Sequence, residues 1–523
     1  MPSSPRRRPA GAPLPSLVAI AAVLLLATLI GPAPAAASTT QQSIMMDDDL
    51  LLYRGDTVRD NAMKKMKSLG VDTVRVTVLW EVVAEEARST RARRKRFDRL
   101  GAANPKVYPV KTWDKYDRLV RAAEILDLNV YFNVTGPGPA YAHAKPPRKY
   151  RKDARWWKPK PREFYKFVQA LGERFSGTYI DENDGSGPIP RVTAWSLWNE
   201  PNQGGWLRPQ WLGGKPVSPQ LYRDLYQYGR RALLSTGHSR DVIFVGETAP
   251  RSVRRKTTTS AMGVRTFAKE FLCAAGHKSA GCSRFAKDGP IVANAWAHHP
   301  YTRSLPPTVP EKGTGAITLA NLSALGDLLD RLSGTGNIRS GMPILSAEFG
   351  YETKPEDPFS KVSRTQQADY LGIAEALTYF DPRIVGHTQF LLRDSGPNKR
   401  FKKGSKGYFA TYQSGLLTRD GKPKPAADAY SFPFIATRGD IQTALFGMVR
   451  FARNLPPGQI SGAVRVEYRP AAGGDWSQYG APIPTDGLGY FNALIPTPPP
   501  GRLRVVWQPP GSPFPVYSAE RGV

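Results

Sequence analysis

Between residues 43 and 437 the chain alternates short β-rich runs with loops and amphipathic stretches, and it does so eight times. The β-rich runs are "SIMMDDD", "VDTVRVTVLWE", "NVYFNVTG", "RVTAWSLWNEPN", "DVIFVGETAP", "IVANAWAHHPY", "MPILSAEFGYE" and "IVGHTQFLLRD". Between them lie stretches with apolar residues at helical spacing, such as "WDKYDRLVRAAEILDL", "REFYKFVQALGERFSG" and "QQADYLGIAEALTYF". The strands are mostly apolar without clean alternation, as expected when helices cover a parallel sheet. Eight such units predict an α/β fold, a (β/α)8 TIM barrel over residues 38–437. A doubly wound open sheet is the alternative. It usually has fewer strands and a glycine-rich first turn, which "MMDDDLLLYRG" does not supply.

The pattern changes near Thr437-Arg438-Gly439-Asp440. After it come short alternating runs, "AVRVEYRP", "YFNALIP" and "RLRVVWQ", separated by Gly, Pro and Asp-Gly turns. Residues 438–523 therefore read as a small all-β sandwich, immunoglobulin-like or fibronectin-like. At the other end, Arg6, Arg7 and Arg8 precede the apolar run Leu17 to Ile30 and the small residues Ala35-Ala36-Ala37. That is the pattern of a secretory signal peptide over residues 1–37, cut after Ala37, so the mature chain is expected outside the cell, in association with a cell wall if not free. No other segment reads as a membrane span. In an oxidising compartment Cys273 and Cys282 are expected to form one local disulfide. Two Cys and six scattered His give no ligand-spaced cluster, so neither metal nor cofactor is expected, and Asp181 to Gly185 reads as a turn rather than a calcium loop.

Chemistry in a barrel sits at the C-terminal ends of its strands. Glu200 ends the fourth strand, between Asn199 and Pro201-Asn202, with Trp195 and Trp198 nearby; Glu348 ends the seventh, before Gly350. A strand-end Glu can simply cap the next helix. Two on one barrel face suit glycoside hydrolysis, in which one carboxyl protonates the leaving oxygen and the other attacks the anomeric carbon.

"WNEPN" after a fourth strand and "AEFG" ending a seventh resemble the clan A glycoside hydrolases, especially bacterial proteins near families 39 and 5. The resemblance covers the whole barrel, and "YQSGLLTRDGKPKPAADAY" looks like the family's closing segment. It implies a retaining enzyme with Glu200 as acid/base and Glu348 as nucleophile, their carboxyls about 5–5.5 Å apart. It further implies Asn199 on the sugar 2-hydroxyl and Arg75 beside the nucleophile. In "HPY" it places His299 on the substrate and acid/base side and Tyr301 on the nucleophile. The clan usually ends its eighth strand with a tryptophan under the first sugar; "HTQFLLRD" puts Phe390 or Gln389 there instead. Trp198 and Glu247, the rim carboxylate of "GETAP", complete the candidate substrate site, with structural pairing of Glu247 preferred to a catalytic role.

The formal net charge is +29. Four runs carry most of it: Arg88 to Arg99, Lys145 to Lys160, Arg251 to Lys256 and Lys399 to Lys406 hold seven, eight, four and five Lys or Arg. Each follows a strand, so all four are expected to converge over the catalytic mouth, with Trp156 and Trp157 among them to stack on sugars. Such a field suits an anionic glycan, or a neutral one embedded in an anionic cell envelope. Nucleic acid is not expected, because no binding motif accompanies the charge. The expected partner is a poly- or oligosaccharide, bound by a monomer. Transglycosylation would use the same carboxylates, and a non-catalytic glycan-binding wall protein on a degenerate barrel is the reading outside enzymology; retention of Glu200, Glu348, Arg75, Asn199 and Tyr301 counts against it.

Overall fold

The computed structural model describes residues 37–183, 187–251, 253–274, 282, 288–312, 315–456, 459 and 462–523. The segment read as a signal peptide, Ala37 apart, lies outside them, as does the end of the Asp181 turn. Eight parallel strands close a barrel: β1 (Gln42–Met46), β2 (Thr73–Leu79), β3 (Asn129–Thr135), β4 (Ala194–Leu197), β5 (Val242–Thr248), β6 (Trp296–His298), β7 (Ile344–Phe349) and β8 (Ile384–Phe390). Each pairs with its neighbours in sequence, and β8 closes on β1 with Gln42 opposite Gly386. All eight coincide with the runs read from the sequence.

The strands do alternate, contrary to the sequence reading. In β2, Val74, Val76 and Val78 pack outward into the helix shell, while in β3 Val130, Phe132 and Val134 do the same. The intervening Arg75, Tyr131 and Asn133 enter the barrel, where Tyr131 packs with Phe244, Ala295, Ala297 and Leu345. Both sets are buried, which is why a hydropathy pattern alone shows one continuous apolar run.

The shell is built by amphipathic helices: α1 (Asp56–Ser68), α2 (Val110–Ile125), α3 (Pro161–Arg174), α4 (Ser218–Ser235), α5 (Val264–Phe271), α6 (Ser323–Ser333), α7 (Arg364–Tyr379) and α8 (Pro425–Ser431). α3 starts at a proline, whose missing N–H costs nothing in a first turn, and buries Phe164, Phe167, Val168 and Leu171. α7 begins with a capping box in which the Ser363 and Gln366 side chains each take up the other's backbone N–H. Cys273 and Cys282 are bonded to each other just after α5, their Cα atoms 5.7 Å apart.

The C-terminal region holds two antiparallel sheets. One is β9 (Phe434–Arg438), β10 (Gln442–Met448) and β12 (Tyr490–Pro496); the other is centred on β11 (Ala463–Pro470) and β13 (Gly501–Trp507). They share a core that includes Leu445, Phe491, Val464, Val466, Leu503 and Trp507. β9 starts at Phe434, so a boundary at 438 cuts the first strand of this module. The module is held to the barrel by a buried seam. Arg450 meets Glu375 of α7 at 2.5 Å and also donates to the Ser43 hydroxyl; the Tyr490 hydroxyl donates to Glu375, and its ring stacks on Tyr379 at 4.1 Å. Arg453 pairs with Asp72. Gly70, at φ +81°, admits the module backbone so closely that a Cβ there would lie 2.2 Å from the Arg450 carbonyl oxygen.

Candidate active site

The fourth strand's end departs sharply from extended geometry. Trp198 and Glu200 both have positive φ, 76° and 38°, and so does Glu247 at the end of β5, at 46°. Non-glycine residues are held there only when their surroundings over-determine them. Those surroundings are visible. The Glu200 N–H donates to the Glu247 carbonyl at 2.9 Å. The Asn202 amide, fully buried, donates to the carbonyls of Ala249 and Met262 and accepts from the Ala249 N–H, all at 2.9 Å. Asn202 thus fastens the β4 loop to the β5 loop. The Asn199 N–H donates to the Thr135 hydroxyl at 2.9 Å.

This bend projects Glu200 toward Glu348. One oxygen of each carboxylate and a nitrogen of His299 lie within 4.8 Å of one another. Arg75, wholly buried, reaches three groups at 3.0 Å: Glu348 through Nη1, and Glu247 and Asn199 through Nη2. The Tyr301 hydroxyl donates to Glu348 at 3.1 Å. His299 donates from Nδ1 to Glu200 at 3.1 Å and from Nε2 to Glu247 at 2.6 Å, with Glu348 3.4 Å from Nδ1. The Tyr131 hydroxyl also donates to Glu247.

The charges order themselves accordingly. Burial pushes the His299 imidazolium down, but Glu348, Glu200 and Glu247 around it push it up to about 10. Burial raises Glu247, and Arg75, His299 and Tyr131 outweigh it, holding that carboxyl well below the usual range. Glu348 is raised by burial against the pull of His299 and Arg75, with Glu200 and Glu247 adding to the rise. Two cations, Arg75 and His299, therefore serve three carboxyls. The trio Glu200, His299 and Glu348 has the spacing of a metal site, which the scattered His of the sequence did not suggest. Ligation needs a neutral imidazole nitrogen, and both nitrogens of His299 are engaged as donors to carboxylates.

Two cavities meet at these residues. One, of about 520 Å³, is lined by Asn199, Glu200, Glu348, Trp206, Thr77 and the run Asp47 to Asp49, and closes against Leu391, Arg393, Asp394 and Ser395. The second, of about 460 Å³, is lined by Glu200, Gln203, Arg251, Arg303, Glu352 and Asp357. Tyr301, Phe390 and Tyr412 face both. Phe390 stands edge-on to Tyr301 and Tyr412, with ring centroids 6.1 and 5.1 Å away. Gln389 is buried, its amide donating to the carbonyls of Leu391 and Ser414.

Several sequence expectations are corrected here. Glu247 and Trp198 are fully buried and line neither cavity. Glu247 sits behind Arg75 and His299 and positions them. Trp198 packs edge-on to Phe164 at 5.4 Å and beneath Gly136, where a Cβ would lie 2.4 Å from its ring. Trp195 is likewise core, against Phe132 at 5.6 Å. His299 is fully buried too, so it acts on the carboxylates rather than as part of the cavity wall. Trp157 is buried against Tyr150 and Trp156 lies under Arg208, the ring stack and the cation at 5.1 and 4.0 Å, and neither lines the two cavities. Nor do the four basic runs converge on the carboxylates: among the described residues only Arg251 of those runs lines either cavity. Others are paired locally, Arg88 with Asp98, Arg93 with Glu86 and Arg155 with Glu81.

The residues missed were Tyr131, Trp206, Tyr412 and the run Asp47 to Asp49. Tyr131 and Asn133 alternate with valines and a phenylalanine in "NVYFNVTG", a signal for the inner face. Asp47, at the end of β1, accepts from the Leu50 and Arg393 N–H groups and is raised by burial to about 7.

No protein-family model matches the chain, and neither does any of the curated proteins compared with it. Among the solved structures it resembles are these three. A family 39 glycoside hydrolase from Bacteroides cellulosilyticus is 14% identical with a TM-score of 0.45, over 87% of this chain and 79% of that one. A glucosidase from Croceicoccus marinus is 12% identical with a TM-score of 0.48, over 89% and 83%. An endo-beta-1,4-mannanase from Thermotoga petrophila is 11% identical with a TM-score of 0.40, over 93% and 97%.

Proposed function

We propose that the protein is a secreted, retaining glycoside hydrolase that cleaves O-glycosidic bonds of a poly- or oligosaccharide. The observation that carries this reading is the approach of Glu200 and Glu348 to within 4.8 Å at the junction of two cavities. An inverting pair must leave room for water and stands about 6.5–9.5 Å apart. Glu348 is the nucleophile. With Glu200 as the acid, Glu348 is the anion that Arg75 and Tyr301 hold in place. Its oxygen attacks the anomeric carbon while Glu200 delivers its proton to the departing glycosidic oxygen, leaving a glycosyl ester on Glu348. Glu200, now ionised, takes a proton from water as the water's oxygen attacks the same carbon and frees Glu348. His299, donating to Glu200 throughout, holds that carboxyl at the bond. Asn199, oriented by Arg75, offers its amide N–H groups to the sugar.

The amino-terminal segment supports export, and Arg251 and Arg303 at the second cavity support an acidic glycan as the substrate. The test is product stereochemistry, read by NMR on a panel of aryl glycosides and polysaccharides. Retention is expected, together with a covalent adduct on the Glu348 peptide after incubation with a 2-fluoro glycoside. Inverted products would sink the double displacement.

A further inference from the structure

The two cavities differ in charge, and the carboxylates say which is which. Glu348 and Asn199 line only the first, so the sugar under attack lies there; Glu200 lines both, so the group it protonates departs through the second. The first cavity presents Asp47, Asp48, Asp49 and Asp394 beside Arg393; burial raises Asp47 to about 7 and raises Asp48, and Asp394 pairs with the buried Lys424 at 2.9 Å, so this lining offers oxygens to the hydroxyls of an uncharged sugar. The second presents Arg251 and Arg303. Arg251 pairs through Nε with Glu311 at 3.0 Å, and its buried Nη2 has no hydrogen-bond partner among the described residues. Arg303 is exposed. Glu352 also lines this cavity, and burial and the neighbouring Asp357 raise it to about 8, which leaves it mostly uncharged at neutrality.

Beyond the second cavity lies a third of about 520 Å³, lined by Lys403, Lys406, Arg419, Tyr408, Phe409 and, as its one acid, Glu356. The loop after β7 is the wall between them: Asp357, Phe359 and Ser360 face the second cavity, Glu356 and Pro358 the third. Phe359, 63% exposed, crowns that wall as an apolar surface a sugar ring can cross. One of the four basic runs, Lys399 to Lys406, thereby finds a place next to the cleft.

We propose that the substrate is an acidic glycan read from its leaving-group side: an uncharged sugar occupies the aspartate-lined cavity, and the departing chain carries uronic-acid carboxylates that Arg251 and Arg303, and then Lys403, Lys406 and Arg419, hold. This rests on the assignment of Glu348 as nucleophile and Glu200 as acid, which fixes the direction of the chain. Charge-assisted contacts to carboxylate favour this occupant over a neutral one, and their exposed part is screened by salt.

The test is calorimetric binding of oligogalacturonates of increasing length to the full chain, with the methyl-esterified oligomers as the neutral counterpart. Affinity is expected to rise with length as the oligomer crosses Phe359, and to fall on esterification and at high salt. The triple variant Lys403→Ser, Lys406→Ser, Arg419→Ser is expected to lose the gain with length, by about tenfold for the longest oligomer. Equal binding of esterified and free acids overturns the proposal. So does a length dependence that survives the triple variant but disappears in Arg93→Ser, Arg94→Ser, Lys95→Ser, Arg96→Ser. Binding is read without turnover, so a failure of catalysis on every glycoside would count against the hydrolase and not be mistaken for this result.

Discussion

Two buried arginine–glutamate clusters hold this molecule together, and they are solved differently. At the seam, Arg450 faces the single carboxylate of Glu375, whose other oxygen takes the Tyr490 hydroxyl. Burial pushes Glu375 up, and Arg450, His387 and the Tyr490 hydroxyl together more than offset that, so the carboxylate is matched in a buried seam. At the cleft, Arg75 and His299 face three carboxyls, and two of the three open on cavities. A matched buried pair contributes fixity. An unmatched one leaves two carboxyls facing the cavities.

The widest gap between the clusters is expected from Glu348→Gln, which should abolish turnover on every substrate while leaving the melting temperature near that of the wild type, since a covalent intermediate can no longer form. Turnover surviving in that variant would break the comparison outright. Glu200→Ala should lose about 10²–10⁴-fold on substrates with poor leaving groups, spare activated aryl glycosides in the first step, and regain turnover with added azide. Equal, unrescued loss on both substrate types removes the acid/base role.

At the seam the expected effect is on stability. Glu375→Ala strands a buried Arg450 and should cost about 3–5 kcal/mol in denaturant unfolding, whereas Glu375→Leu with Arg450→Met should recover most of it. A single variant as stable as the wild type would mean that the seam is not a matched pair in solution.

A smaller effect should follow pH. His299 is raised from 6.5 to about 10 in the folded chain, so its contribution to stability is full below about pH 6.5 and is lost as pH rises through about 10. The unfolding midpoint should decline across that window in the wild type and decline less in His299→Gln; parallel curves would contradict the assignment. Smallest, Tyr131→Phe removes one donor to Glu247 and should lower kcat/KM by a factor equivalent to about 1 kcal/mol. No change would make that hydroxyl a bystander.

The barrel was legible because its evidence is repeated: eight strand-and-helix units are hard to produce by accident. That Glu200 and Glu348 meet at one cleft was legible because both stand at strand ends on one face of the barrel. What failed were the residues whose facing depends on the bend itself. Trp198 and Glu247 stand at positive φ, so counting alternate residues along the strand no longer predicts which side they take: Trp198 turned out against Phe164 of the helix shell and Glu247 turned in beside Arg75. Tyr131 failed for the opposite reason: its strand is regular, and its burial on both sides hid the alternation. The basic loops misled because charge along a sequence says nothing of where the chain has already supplied a counter-charge, as Glu86 does for both Arg93 and Lys111. The seam could not be read at all. Its partners are separated by 75 residues in Glu375 and Arg450 and by 407 in Ser43 and Arg450.

The seam has a further consequence through its position. It joins the module to Gln41, Ser43 and Asp72, where the first two strands begin, while Glu200 and Glu348 stand where the fourth and seventh end. Whatever grips this molecule by its C-terminal module therefore turns the cleft away from the point of attachment, leaving its mouth free to meet a partner too large to diffuse.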